Sequence, residues 1–429
     1  MGKKRLLIYA HYYYPDVAST GQLMQELAES MRMEFDVTVL CVVPSYEGIV
    51  PTEYKTRKYY DETLHGVHLI RVRVPEFRKD NKASRLRNIL TYVFRAFVAT
   101  FKASRADYVL TISQPPILGG LLGVFGKWIK HARLIYCIQD FNPEQILAVG
   151  YTKSGVLLHL MMWLDKFNCR QSDLVVTVGR DLVETLKKRF EGRIVPRYIQ
   201  INNWVDKERI YPLASDDPGV VSFREKHGIS DQFVFMYSGN IGLYYDLENL
   251  IKVFERFPAG TKAADGREVA FVFVGTGSML DRLRAYKNAH GMSNVTFLPY
   301  QKKEELLYSL NAADVHLCVN AKGIKGVSCP SKYYGIAAVR KPVLAVLEIG
   351  SEIASIIEET AGGLISEPGD YDAVAQNIQW FLENAGSEKL SSMGERGYDN
   401  LVNNNTKDAS VQKYIHAILA LDGGSAWQT

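Results

Sequence analysis

Lys332 stands in "CPSKYYGIAAVRKPVLAV", directly after Pro330 and Ser331 and where an apolar helical run begins. A helix start carries unpaired N–H groups and partial positive charge, so an added ammonium is useful there chiefly when an anion arrives. Ser331 is placed to cap that helix and to reach a phosphate oxygen. Two glycine loops supply the facing half of such a site. "YSGNIGLYYDLENLIKVF" puts Gly239, Asn240 and Gly242 between a strand-like run and an amphipathic segment, and "VFVGTGSMLDRL" repeats the arrangement at Gly275 and Gly277. Glycine lets backbone N–H groups approach a phosphate and Asn240 adds an amide donor, although an ordinary strand-to-helix turn has the same composition. The chemistry these residues suit is departure of an anionic group whose growing charge is met by fixed donors.

The first half offers a second set. "PDVASTGQLMQELAESM" places Gly21 and Gln22 at another helix start, and "IQDFNPEQILAVG" carries Asp140 and Glu144 around Pro143. A carboxylate at a strand end suits hydroxyl recognition or general-base work, and equally a helix cap. His11 lies at the end of the first strand-like run, beside "YYYP". Asp370 and Asp372 form a D-x-D in "EPGDYDAVAQ", which reads as a loop ending in a helix cap, and the five cysteines show no C-x-x-C pair. No metal site and no cofactor is therefore expected.

The elements that must position these residues are legible as β-rich runs alternating with helical stretches. "LLIYAHYY", "VTVLCVV", "YVLTIS" and "LVVTVG" lie in the first half, and "FVFMYSG", "VAFVFVG", "VHLCVN" and "PVLAVLE" in the second. Near-continuous apolar strands imply parallel sheets covered on both faces. The pattern restarts after about residue 205, and 429 residues exceed what one core holds, roughly 250–300. The expected fold is α/β, with two facing Rossmann-like domains. Their limits are 1–205 and 206–405, followed by a last helix and tail over 406–429 that can return to the N-terminal domain. Ligands of such sheets bind beyond the carboxyl ends of the strands, hence in the cleft between the domains.

Net charge is divided unevenly, +10 over residues 1–205 and −6 over the rest, so the basic half should face an anionic partner. Between residues 78 and 105 eight basic residues accompany a single acid. There Leu86, Ile89, Leu90, Val93, Phe94, Phe97, Val98 and Phe101 keep helical spacing. That stripe suits packing on a sheet, and the surplus charge around Lys79, Lys82, Arg85 and Arg87 suits a membrane surface. No signal-peptide pattern, membrane span or nucleic-acid module is visible, which points to a cytoplasmic protein that does not bind DNA or RNA.

Taken in order, "YYYPDVASTGQLMQELAESM", "QDFNPEQILAVG", "NNWVDKERIYP", "YSGNIGLYYDLENLI", "PSKYYGIAAVRKPVLAV" and "GSEIASIIEETAGGLISEPGD" resemble family 4 of the retaining glycosyltransferases with the GT-B fold, in its bacterial surface-polysaccharide branch. The resemblance implies a nucleotide-sugar donor, with UDP the expected nucleotide, in the C-terminal domain and a lipid-linked saccharide acceptor in the N-terminal one. It places Gly239, Asn240, Gly242, Ser331 and Lys332 at the donor diphosphate, Tyr300 near the base and Gly21 near the distal phosphate. It also implies work at the inner face of the plasma membrane. Two glutamates eight positions apart that the family usually carries are replaced here by Val327 and Gly335, which makes Glu352 the expected partner of the ribose. A GT-B nucleotide-sugar epimerase, or a GT-B partner subunit without catalysis, is the alternative expectation.

Overall fold

The computed structural model describes residues 2–78, 81–148, 150 and 154–423. Lys79 lies outside them. Eight strands build the first sheet: β1 (Lys4–Tyr9), β2 (Phe35–Val42), β3 (Tyr59–Leu64), β4 (Val67–Val72), β5 (Tyr108–Ile112), β6 (Arg133–Ile138), β7 (Leu174–Thr177) and β8 (Tyr198–Gln200). They run in the order β3-β4-β2-β1-β5-β6-β7-β8, and only β3 pairs antiparallel. A second sheet holds β9 (Gln232–Ser238), β10 (Glu268–Val274), β11 (Val295–Leu298), β12 (Val315–Val319), β13 (Val343–Val346) and β14 (Gly363–Ser366), in the order β11-β10-β9-β12-β13-β14. All its pairings are parallel. Phe233 to Tyr237 of β9 are all fully buried, because helices cover both faces. β3, "YYDETL", is the strand the apolar runs did not signal: it is a half-exposed, charged edge strand.

Strand order reverses beside β1 in the first sheet and beside β9 in the second. Crevices at such reversals receive ligands. The loops after these two strands are those holding "YYYPD" and Gly239 to Gly242.

Six helices of the first domain matter below: α1 (Ser19–Met31), α2 (Lys82–Lys102), α3 (Leu118–Lys130), α4 (Glu144–Ala148), α5 (Gly155–Gln171) and α6 (Arg180–Arg189). The orientation of α2 divides its apolar stripe, of which Val93 and Phe97 pack partly against the core under the sheet. Tyr92, Ala96, Ala99 and Thr100 are buried, and Leu86, Leu90, Phe94 and Phe101 face outward. Small residues let a helix axis approach a sheet closely, and the turn is anchored where Asn88 Nδ2 donates to Pro75 O at 2.8 Å.

The last helix, Lys407–Leu419, follows the second domain in sequence yet belongs to the core of the first. A bridge pairs Val205 with Thr406, Lys407 Nζ meets Asp206 at 2.7 Å, and the fully buried Tyr414 sets its ring edge against Trp204. The strap therefore closes the chain across both domains. Tyr414→Ala is expected to lower the unfolding free energy by about 3–5 kcal/mol, the usual cost of emptying a large aromatic site. Urea denaturation followed by circular dichroism measures it; a loss under about 1 kcal/mol would show the strap to be peripheral.

Candidate active site

Lys332 opens the helix Lys332–Ala338, and its stem crosses Gly239. A Cβ on Gly239 would lie 2.6 Å from Lys332 Cε and push the lysine stem aside, and this residue holds φ +147°, a conformation that favours glycine. The ammonium stands 3.6 Å from the centre of the Tyr245 ring and 5.1 Å from that of Tyr237. A cation over an aromatic face gains about 0.5–2 kcal/mol, which fixes the charge without neutralising it. Its field reaches the buried Cys318, whose thiol burial pushes up to about 11 against the pull of Lys332. Ser331 occupies the cap position but makes no capping bond, contrary to expectation; it is exposed at the site.

The glycine loops do something other than the sequence suggested. Gly239 N donates to Val274 O at 2.9 Å, Ile241 N to Thr276 O at 2.9 Å and Gly275 N to Leu298 O at 3.0 Å. A Cβ on Gly275 would meet Gly239 O at 2.0 Å, and one on Gly277 would meet Ile241 O at 2.1 Å. The two loops are thus locked face to face, and these N–H groups point into the lock rather than toward a phosphate. What the loop presents outward is the side chain of Asn240, which is exposed and packs beside Gly242.

Across the cleft, Gly21 lets α1 begin against the backbone of Tyr12, whose oxygen would be 3.0 Å from a Cβ. Gln22 continues that first turn, its N–H donating to Ala18 O at 3.0 Å. Asp16 accepts from the N–H groups of Ser45 and Tyr46, both at 3.1 Å, so the loops after β1 and β2 move as one. Tyr46 then lies within electrostatic range of Tyr245 and of the exposed Tyr300. His11 is a neutral core group beneath this corner: burial lowers its pKa to about 3, and it stacks on Tyr12 and Tyr92.

Asp140 sits on the seam between the domains, bridged to Ser328, while Phe141 N donates to Val327 O at 2.8 Å. Burial raises its carboxyl above the ordinary range, against hydrogen bonds from Ser328 and Gln145. Glu144 does not face the cleft as expected. Its two oxygens take Arg189 Nε at 2.8 Å and Nη2 at 2.5 Å, and Arg189 also pairs with the buried Asp165, because a buried guanidinium must be surrounded by acceptors.

Glu352 is likewise a correction, this time to the expectation that it holds a ribose. Its Oε2 accepts from Arg180 N at 2.8 Å and Arg180 Nε at 2.9 Å, and its Oε1 from Asn202 Nδ2 at 2.7 Å and Gln200 Nε2 at 3.2 Å. All four donors belong to the first domain, so this buried carboxylate ties the domains together. Gly326 N adds a bond to Asp181 Oδ2 at 2.8 Å beside it. The D-x-D divides between a cap, where Asp370 Oδ1 takes Ala373 N at 3.0 Å, and a pair of Asp372 with Arg256 at 2.7 Å.

Arg180, Asn202, Tyr237 and Tyr245 escaped the sequence reading. Tyr245 had a signal, an aromatic pair one turn after a glycine loop; Arg180 had none beyond its place after a strand. Glu352→Ala is expected to cost about 2–3 kcal/mol of stability, since it removes the acceptor of the Arg180 backbone N–H and of the Asn202 amide, while the Arg180 guanidinium keeps Glu359 and Gln200 keeps Asn202. Unchanged stability in urea together with a selective loss of nucleotide affinity would restore the ribose role.

Against known families, residues 18–200 match the glycosyl transferase 4-like domain and residues 221–400 the group 1 glycosyl transferases. The glycosyltransferase WbjE of Pseudomonas aeruginosa is 26% identical over 97% of this chain and 98% of its own. The colanic acid biosynthesis glycosyl transferase WcaI of Escherichia coli is 24% identical over 88% of this chain and 92% of its own. Anabaena HepE, solved with UDP and glucose, superposes with a TM-score of 0.69 over 97% of this chain and 100% of that one, at 13% identity. Two parallel-sheet domains facing across a cleft, each matched by its own family model, place this chain among the family 4 glycosyltransferases of GT-B fold.

Proposed function

We propose that this enzyme transfers a hexosyl or N-acetylhexosaminyl group from a UDP-linked donor to a polyprenyl-diphosphate-linked saccharide, with retention, in surface-polysaccharide biosynthesis. The observation that carries the reading is the Lys332 ammonium, held over two tyrosine rings and a glycine loop at the reversal point of the second sheet. The bond from the anomeric carbon to the diphosphate breaks as the acceptor oxygen bonds to that carbon. Negative charge grows on the departing phosphate, where Lys332 and the Asn240 amide meet it, with the exposed Ser331 hydroxyl alongside. Tyr300 is assigned to the base and Gly21 to the distal phosphate. The UDP and glucose bound by HepE, and the colanic acid role of WcaI, support the donor and the pathway class.

Asp140 is assigned to the acceptor. Its raised pKa brings the carboxylate nearer the range in which it can orient and partly accept the proton of the attacking hydroxyl. A membrane-anchored acceptor sets the basic first domain at the anionic inner face of the plasma membrane. No helix among the described residues is long and apolar enough to cross that membrane.

A donor panel scored by nucleotide release tests the reading. UDP-sugars are expected to be turned over with EDTA present, since the ammonium supplies positive charge at the leaving group. Lys332→Ala is expected to cut turnover about 100-fold, from ~3 kcal/mol of lost charge-assisted contact, while leaving the fold intact. Wild-type turnover by a folded Lys332→Ala protein, or rescue by Mg²⁺ of an enzyme inactivated by EDTA, would overturn it.

A further inference from the structure

An extended exposed aromatic surface lies outside the cleft. Phe94 and Phe101 of α2, Trp128 of α3, and Leu160 and Trp163 of α5 all face outward, with Phe94 68% and Trp163 60% exposed. They form one face. Ring contacts run from Phe101 through Phe97 and Phe125 to Trp128, then through Phe167 to Trp163, each step 5.3–6.2 Å between centroids. On its α2 side the face continues into a groove of about 880 Å³ between α2 and β3, lined by Tyr59, Leu86, Leu90, Phe94 and Val98.

An apolar surface of this extent needs an occupant. Charge selects among the candidates. The helices α2, α3 and α5 carry nine lysines and arginines against one acid, Asp165, and that acid is buried in its pair with Arg189. A second copy would bring the same positive field against itself. Tryptophan and phenylalanine on a plane rimmed by Lys and Arg are instead what the boundary between headgroups and acyl chains favours.

We propose that the face formed by α2, α3 and α5 docks on an anionic phospholipid bilayer, with Phe94, Trp128 and Trp163 entering the headgroup boundary and Arg87, Lys102 and Arg170 meeting the headgroups. The inference deepens the reading of a lipid-linked acceptor and rests on it for the choice of membrane. It also extends the basic segment that the sequence singled out, since α3 and α5 contribute half of the aromatic plane. Position supports the connection: Arg85, at the start of α2, acts electrostatically on Tyr12 in the corner opposite Lys332. The basic start of α2 therefore lies near the Tyr12 corner of the cleft.

Vesicle co-sedimentation of the full chain tests it, with phosphatidylglycerol–phosphatidylcholine vesicles against phosphatidylcholine alone. Wild type is expected to prefer the anionic vesicles, and a fraction is expected to stay bound at about 1 M NaCl, where screening falls to ~3 Å and only inserted side chains hold. The double variant Phe94→Ser with Trp163→Ser is expected to partition at least about tenfold more weakly and to lose the salt-resistant fraction. The pair Arg87→Gln with Lys102→Gln is expected to lose the preference for anionic vesicles at low salt. Nucleotide release with a water-soluble acceptor should be unchanged in both. Absent wild-type binding, equal binding by the serine variant, or a wild-type dimer that the serine variant splits in light scattering would overturn the face. Vesicle binding with this pattern but no nucleotide release from any donor would keep the face and overturn the enzymatic reading.

Discussion

The constraint on which the rest of this site depends is the passage of one lysine stem over one residue without a side chain. Lys332 reaches its place because Gly239 leaves room for Cε, and because Tyr237 and Tyr245 supply ring faces for the ammonium. Each requirement pulls on others. Gly239 is pinned by Val274 and roofed by Gly275, so the carboxyl ends of β9 and β10 must lie in register. The segment before Lys332 is held by the first domain, through Phe141 at Val327, Asp140 at Ser328 and Asp181 at Gly326. The position of a single charge thus depends on both domains at once.

That dependence explains where several carboxylates went. A cleft between two domains is held open or closed by what crosses the seam, and here the crossing is polar where it is specific and apolar where it is broad. Glu352 carries four hydrogen bonds from the first domain, while Phe141, Leu182, Tyr334 and Ile353 form one continuous core around it. A buried carboxylate without those donors would strongly destabilise the seam, so the geometry of Arg180, Gln200 and Asn202 is as demanding as that of the site itself. Glu144 answers to Arg189 in the same way. Both acids sit at strand or helix ends near the cleft, yet each is occupied by a partner from elsewhere in the chain.

Sequence patterns made the two sheets, their parallel strands and the loops at Gly239, Gly275 and Lys332 legible, because apolar runs and strand-to-helix glycines are local signals. The partner of Glu352 was not legible, since Arg180 lies more than a hundred residues away and nothing local marks it. α2 misled for a different reason. Periodicity reports that large apolar residues share a stripe, but not that the opposite stripe of Tyr92, Ala96 and Ala99 fits closer to a sheet. The glycine loops answer to two causes: their composition suits phosphate binding and loop-on-loop packing alike, and the hydrogen bonds of Gly239 and Gly275 serve the packing.

The orientation of α2 links the fold to the uneven charge. A helix that buried its phenylalanines would leave the basic residues of the first domain on an ordinary solvated surface; turned outward, the same residues rim an aromatic plane. The second domain, at −6, is repelled by an anionic surface that attracts the first, at +10, so the charge distribution itself orients the molecule. In the proposed docking the plane would fix depth and the charges attitude. Because Arg85 acts electrostatically on Tyr12, the same docking would set the Tyr12 corner of the cleft toward the bilayer and the donor loops away from it. So docked, a nucleotide-sugar would enter from the aqueous side while the acceptor saccharide stayed on its lipid, and the two would meet where the seam holds Lys332.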